Sequence, residues 1–519
     1  MSALHSVAEI RQVEQEALSA LPPYTLMQRA GAAIAGQAQQ LLCSTTDSSP
    51  SVLILAGPGN NGGDALEAAC LLEEAGIEVS VQLHADESRQ PPDARRALAR
   101  AREAEIQFIE GTDDAPLRAQ SWALVIDGLF GIGLTRPPGP ALRPIIEYVN
   151  SLRCPVLSID VPSGLNADTG SIVGGREGVA VQATHTITFI GDKPGLHTCD
   201  GSDHSGRIVV DPLEIAPVLL PPARAFLNGP QGFATALRPR ANNSHKGSYG
   251  DVIVVGGARG MAGAPVLAAR TAAFGGAGRV YVAFVEDGPA YDDKHPELMF
   301  RLADRVEFGA SAALVVGPGM GTSRHAHDLL ARALDSEADI VVDADALNLI
   351  SAEPVLQHKL HRRSQRAEAC SIITPHPLEA ARLLDSTTQQ VQQDRPQAAR
   401  LLARQFNAIT VLKGAGTVIA FPDGEIAINP SGNPALSTAG TGDVLSGLCG
   451  ALLAQGWPTR AAALAATWIH GAAADQLVAV GQGPVGLTAS EFIPAIRAVF
   501  NQIIRDHVQR RPADHTHRP

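Results

Sequence analysis

The chain has 519 residues, too many for one ordinary core, so two large domains or three small ones are expected. With 45% hydrophobic and 18% charged residues it is globular, and a net charge of -12 argues against a general nucleic-acid binder. Its six cysteines form no CxxC pair, which speaks against a zinc site or a disulfide framework and for reduced thiols in a cytoplasm.

The N-terminal MSALHSVAEIRQVEQEAL reads as an amphipathic helix bearing Glu9, Arg11, Glu14 and Glu16, unlike a signal peptide. No apolar stretch is long enough to span a bilayer. SVLILAG (51–57) predicts a strand, DALEAACLLEEAG (64–76) a helix and IEVSVQL (77–83) the next strand. WALVIDGLFG and CPVLSIDVPSG repeat one design, an apolar run with an acid at its end and then a glycine loop, and THTITFIG (184–191) adds a strand. Apolar strands alternating with helices predict a parallel sheet covered on both faces, with ligands at the carboxyl ends of the strands, where Asp127 and Asp160 fall.

A turn-rich segment with several prolines follows, and the domain boundary is placed near residue 225, separating 1–225 from 226–510. The alternation then restarts with DVIVVGGARG and continues through GRVYVAFV, ALVVGPGMG, ADIVVDADAL, CSIITPHP and AITVLKGAGTVIAF, predicting a second, larger α/β domain. The tail VQRRPADHTHRP reads as frayed.

In the first half, GPGNNGGD (57–64) lies between a strand and a helix, so its glycines allow close approach of a pyrophosphate to the helix start. Asn61, Asp127 and Ser163 offer oxygen ligands for a hard cation, although the asparagines alone would also suit a left-handed turn. Asp160 is the candidate for proton exchange with a bound ring, and the competing reading makes it a cap for the VPSG turn.

In the second half, SGNPALSTAGTGDVLSGLCGALLA joins small residues to Asp443 and an apolar helical pattern. Free N–H groups at that helix start suit a phosphate, and Asp443 is placed to take a proton from an attacking hydroxyl. His376 stands between two prolines, and Lys413 beside a glycine turn reads as a phosphate loop or as a β-hairpin. The basic pair His245-Lys246 precedes a glycine turn, and a solvated lysine is its simplest reading.

GPGNNGGD, DGLFGIGL and SIDVPSGLNADTG, with TFIGDKPGL (188–196), resemble the NAD(P)H-hydrate epimerase domain, a Rossmann-like three-layer sandwich. The resemblance implies that Asn60, Asn61, Gly62, Gly63 and Asp64, with Gly131, Ile132, Gly133, Leu134, Thr135, Arg136 and Pro137, contact a hydrated nucleotide. It further implies that Asn61, Asp127 and Ser163 hold potassium and that Asp160 meets the reacting ring. Two departures stand out: Ala65 and Ile132 occupy positions where that family usually has glycine and threonine.

HKGSYG, GPGMG, TPHP, LKGAGTV and AGTGD together resemble the ribokinase-like superfamily and, within it, the ADP-dependent NAD(P)H-hydrate dehydratases. By that resemblance Lys413, Gly414, Ala415, Gly416, Thr417, Asn433, Thr441 and Gly442 line an ADP site with its magnesium. Ala264, Gly319, Gly321, His376 and Asp443 face the hydrated nicotinamide. The two blocks cover nearly the whole chain, as in the bifunctional repair family that acts on hydrated NADH and NADPH. Such a protein is expected to be a cytoplasmic homo-oligomer that meets small molecules and neither nucleic acid nor membrane. The rival reading is a ribokinase-type small-molecule kinase with an accessory N-terminal domain.

Overall fold

The computed structural model describes residues 1–43, 50–104, 106–109, 111, 113–363 and 371–510. Of the tail read as frayed, residues 508–510 end helix Ala489–Arg510, and residues 511–519 lie outside the described ones, as does Cys370. The chain forms two compact units, Ala3–Ala225 and the chain from Phe226 on together with Met1–Ser2.

The first unit is built on a seven-stranded sheet whose neighbours are all parallel. Ser51–Ala56 is an unbroken apolar run, and every residue from Val52 to Ala56 is buried, as a strand covered on both faces requires. In space the strands run Gln107–Phe108, Glu78–Leu83, Ser51–Ala56, Leu124–Gly128, Val156–Ile159, His185–Phe189 and Arg207–Asp211. This is the Rossmann-like order, and it reverses direction between Ser51–Ala56 and Leu124–Gly128, which puts a crevice at their carboxyl ends.

Helix Asn60–Glu74 begins four residues before the expected Asp64, so Asn60 and Asn61 are helical and the left-handed-turn alternative fails. Glycine at 31 lets Thr25–Leu42 pack directly on that helix, since a Cβ there would stand 2.5 Å from Glu67 Cγ. The N-terminal helix Val7–Ala20 is closed by a capping box between Ser6 and Glu9.

The second unit has Ile426–Ile428, Val418–Ala420, Ile409–Leu412, Ser371–Ile373, Asp339–Val342, Ala312–Val316, Asp251–Gly256, Arg279–Phe284 and Met299–Leu302 side by side in that order. From Ile409–Leu412 onward the neighbours are parallel, while Ile409–Leu412, Val418–Ala420 and Ile426–Ile428 form an antiparallel meander. The hairpin reading of VLKGAGTVIA is therefore correct, and it leaves Lys413 at a strand end. Here too the order reverses, between Asp251–Gly256 and Ala312–Val316.

Alanine-rich helices Gly263–Phe274, Thr441–Ala454 and Thr459–Ala479 supply much of this core. Gly447 permits the tightest of these contacts, because a Cβ there would lie 2.1 Å from the Ala268 carbonyl oxygen. The segment read as a turn-rich boundary contains the short strand Ala225–Leu227 and 3-10 turns at Pro217–Leu219 and Pro230–Ala236. No helix among the described residues is long and apolar enough to cross a membrane.

Two candidate active sites

At the first switch point a cavity of about 640 Å³ opens, within the range of small-molecule sites. Asn60, Asn61, Asp64, Asp160 and the loop from Gly131 to Pro137 line it, so the three loops singled out in the sequence do converge. Gly62 and Gly63 lie behind this wall, and both are buried. A Cβ at Gly62 would stand 2.0 Å from the Gly57 carbonyl oxygen, so this glycine serves the fold of the loop. Arg11 and Glu14 from the N-terminal helix also reach the cavity and were not anticipated.

Asp160 follows strand Val156–Ile159 with φ +66, a left-handed backbone that non-glycine residues rarely adopt. Its Oδ2 accepts the Ile132 N–H at 3.0 Å, and its Oδ1 accepts from Lys193 Nζ at 2.7 Å. Lys193 is fully buried and donates further to Thr188 Oγ1 at 2.6 Å and to the Phe189 carbonyl at 2.9 Å. Asp160 therefore does not cap the VPSG turn; that role falls to Asp127, whose Oδ2 accepts the Ser163 N–H at 2.9 Å. At the Ile132 departure, the loop's contact with Asp160 is made by the backbone N–H and not by the side chain.

Asp127 is fully buried and meets only neutral donors, with Ser163 Oγ at 2.6 Å, Ser158 Oγ at 2.8 Å and the Leu129 N–H at 3.3 Å. Burial raises its pKa against the pull of these hydrogen bonds. Asn61 Nδ2 is buried without a hydrogen-bond partner, while Asn61 Oδ1 faces Gly131 beside Asp160. A buried carboxylate with no ion pair among the described residues, a buried hydroxyl and the Asn61 amide oxygen are oxygen donors that fit a monovalent cation. Asp64 and Glu14 form no ion pair among the described residues, and burial, then the Asp160 charge, raises both; the Asp64 carboxyl stands well above its ordinary value.

In the second unit, strand ends again carry the polar groups. Gly317–Gly321 and Ala258–Ala264 interlock across the switch point, with the Ala258 N–H donating to the Gly319 carbonyl at 2.7 Å. A Cβ at Gly319 would lie 3.2 Å from Ala264 Cβ, and the Gly321 N–H donates to Asp345 Oδ2 at 2.8 Å. The structure thus brings Ala264, Gly319 and Gly321 together.

Thr441–Ala454 begins after Gly440, whose φ is +90, and places Asp443 in its first turn. Thr441 Oγ1 donates to the Leu436 and Thr438 carbonyls at 2.9 Å, bracing the loop. Gly442 has no Cβ because one would lie 3.2 Å from Lys413 Nζ. Lys413, at the end of Ile409–Leu412, donates to Asp343 Oδ1 at 2.7 Å. The Gly414 to Thr417 turn, which includes Ala415 and Gly416, is closed by Thr417 Oγ1 on the Gly414 carbonyl at 2.9 Å. Asn433 donates to Asp475 Oδ1 at 2.9 Å, which anchors its loop to helix Thr459–Ala479.

Burial and the Asp343 charge push the Asp443 pKa up to about 7, with Lys413 acting against them and Asp345 adding to them. Burial works to lower the Lys413 ammonium, but Asp343, Glu379 and Asp443 outweigh it and the pKa is raised. Glu379 is likewise pushed up to about 7, chiefly by burial. His376 caps helix Pro377–Leu383, its Nδ1 accepting the Leu378 N–H at 3.1 Å, and burial lowers its pKa. Its Nδ1 therefore serves the fold, and only the Nε2 edge, 3.3 Å from Glu379 Oε1, is placed to meet a ligand.

Lys193, Asp343 and Glu379 were missed in the sequence. Each acid or lysine looks like an ordinary polar residue until the fold seats it at a strand end. The repeated signal of an apolar run followed by Asp, used for Asp127 and Asp160, also occurs in DIVVDAD and could have found Asp343.

Residues 23–195 match the family model described as YjeF-related protein N-terminus, and residues 252–495 that described as NAD(P)H-hydrate dehydratase. The chain is 35% identical to a bifunctional NAD(P)H-hydrate repair enzyme of Coxiella burnetii, over 96% of this chain and 100% of that protein. It is 44% identical to an ADP-dependent (S)-NAD(P)H-hydrate dehydratase of Neisseria meningitidis, over 54% of this chain and 95% of that one. A solved structure of the ADP/ATP-dependent NAD(P)H-hydrate dehydratase of Bacillus subtilis, co-crystallized with ATP and Mg2+, is 27% identical with a TM-score of 0.47, covering 54% of this chain and 98% of that chain.

Proposed function

The chain belongs to the family of bifunctional NAD(P)H-hydrate repair enzymes, and from that premise we propose how its residues divide the work. The protein is an enzyme that interconverts the R and S hydrates of NADH and NADPH and dehydrates the S form at the expense of ADP. Residues 1–225 carry the epimerase and residues 226–510 the dehydratase. The observation that carries this reading is Asp443: a half-buried carboxyl in the first turn of a helix, beside small residues that leave room for phosphate, with a pKa near 7.

In the dehydratase, Asp443 takes the proton of the C6 hydroxyl as that oxygen attacks the β-phosphate of ADP. The P–O bond to AMP breaks and a C6 phosphate ester forms. The N–H groups after Gly440 and the Lys413 ammonium stabilise charge on the transferring group. The ring nitrogen then expels phosphate from C6, and loss of a C5 proton restores the dihydronicotinamide. Lys413, the Gly414–Thr417 turn and Asn433 bind the nucleotide, while Ala264, Gly319, Gly321 and the exposed edge of His376 border the nicotinamide. Magnesium would neutralise the ADP phosphates. Among the described residues no three His, Cys, Asp or Glu side chains are placed to hold a metal, so phosphate oxygens and water would supply most of its ligands.

In the epimerase, Asn60 to Asp64 and the Gly131–Pro137 loop hold the hydrate, with Asp160 at its reacting ring as the proton acceptor. Potassium would be held by Asn61, Asp127 and Ser163, where it supplies positive charge beneath the nucleotide. A homo-oligomer in the cytoplasm belongs to the same reading.

Incubation of the purified full chain with mixed hydrate epimers and ADP tests it. Recovery of dihydronicotinamide absorbance beyond the S fraction, with one AMP and one phosphate per turnover, is the expected result. Accumulation of a stable phosphorylated alcohol would instead identify a kinase.

A further inference from the structure

The geometry points to Lys193 as the positioning residue of the epimerase site, orienting Asp160 and balancing its charge without touching the substrate. This inference rests on the reading of Asp160 as the carboxylate at the reacting ring. Lys193 is fully buried, and an ammonium is kept in such a place only when its donors are satisfied. Its three N–H bonds go to Asp160 Oδ1, Thr188 Oγ1 and the Phe189 carbonyl, at 2.7, 2.6 and 2.9 Å. No donor is left over for a ligand, and Lys193 does not line the cavity, whereas Asp160 does. Any effect of Lys193 on the substrate must therefore pass through Asp160.

Two features say what that effect is. Asp160 is held at φ +66, and its two oxygens are fixed from opposite sides, one by Lys193 and the other by the Ile132 N–H of the cavity-lining loop. The orientation of the carboxylate is thus over-determined by the lysine and the loop. The second feature is the company Asp160 keeps. Glu14 on the N-terminal helix, Asp64 on helix Asn60–Glu74 and Asp93 on helix Pro92–Glu103 also line the cavity, and its cations are Arg11 on the first of these elements and Arg136 on the Gly131–Pro137 loop. Several carboxyls sharing one crevice disfavour full ionisation. Lys193 singles out one of them: Asp160 has an ion pair, whereas Asp64 and Glu14 have none among the described residues. Burial and the Asp160 charge both favour the protonated form of Asp64 and Glu14.

The test compares wild type, Lys193→Met and Asp160→Ala in the full chain, following R-to-S conversion at saturating and limiting hydrate across pH. Lys193→Met is expected to lower kcat by about 100-fold while KM changes less than about threefold. Its kcat/KM should fall toward acid at a higher pH than that of wild type, because removing the cation beside a carboxylate favours the protonated form. A folded Lys193→Met with the wild-type rate and pH profile, beside an inactive Asp160→Ala, overturns the inference. So does a rate loss with an unmoved pH profile, which would mark Lys193 as steric support. An active Asp160→Ala overturns the reading of Asp160 itself. Should Lys193→Met fail to fold, Thr188→Val, which loosens the ammonium and leaves the pair in place, takes over. It should lower kcat about fivefold at unchanged KM, and an unchanged kcat counts against the inference.

Discussion

Each unit of the molecule seats a lysine at the end of its sheet, but the two lysines answer different acids. Lys193 pairs with Asp160, the carboxylate that lines the cavity, at 2.7 Å. Lys413 pairs with Asp343, also at 2.7 Å, and among the described residues Asp443 has no ion pair. Burial and then the Asp343 charge push the Asp443 carboxyl up to about 7. The same two residue types thus make a carboxylate paired with lysine in one place and, in the other, a carboxyl that burial and a like charge push up to about 7. The chemistry follows this difference. Epimerisation needs an acceptor held in place at the ring, and phosphoryl transfer onto an alcohol needs a base whose pKa matches the working pH.

That contrast can be broken at several points. The largest effect is expected from Asp160→Ala, which should abolish epimerisation while S-hydrate dehydration by the same chain continues. Loss of both activities would signal a folding defect instead. Asp443→Asn comes next: hydrate and ADP binding by calorimetry should persist while dehydration slows at least ~100-fold. An unchanged rate would remove Asp443 from the mechanism.

The neighbours of Asp443 should move its titration in opposite directions. A base works deprotonated, so dehydration should fall as pH drops through about 7. Asp343→Asn removes a like charge and should shift that midpoint down by about one unit, and Lys413→Met should shift it up by a similar amount. Shifts of the same sign would mean that the pair acts through structure and not through charge. The smallest effect belongs to Ile132→Thr, which should change epimerisation by less than about twofold, since Asp160 uses the backbone N–H of that residue.

Much of this frame is legible in the sequence because the signals are local. An apolar run, then an acid or glycine, marks the strand ends at Asp127, Asp160 and Gly317, and both switch points follow from the alternation of strands and helices. The Asn60–Asn61 pair was misplaced by one turn, because asparagine and glycine are poor helix formers and the packing of Asn60–Glu74 on Thr25–Leu42 overrides that preference. The lysine partnerships were not legible. Lys193 is 33 residues from Asp160 and Lys413 is 70 from Asp343, so only the folded sheets bring them together. His376 was legible as a restrained histidine, yet its Nδ1 caps a helix, a role that a flanking Pro377 and a Glu379 three residues on do signal. The exposed Lys246, in a 3-10 turn before strand Asp251–Gly256, matches its solvated reading.

The pH dependence of kcat/KM for S-hydrate dehydration, measured side by side for wild type and Asp443→Asn, bears most directly on the contrast between the two lysines. Wild type should show an acid limb with its midpoint near 7, and the limb should be absent from the residual activity of the variant. A wild-type profile that stays flat through neutrality, or a limb of equal position in both proteins that reports only the ionisation of ADP, would contradict the account.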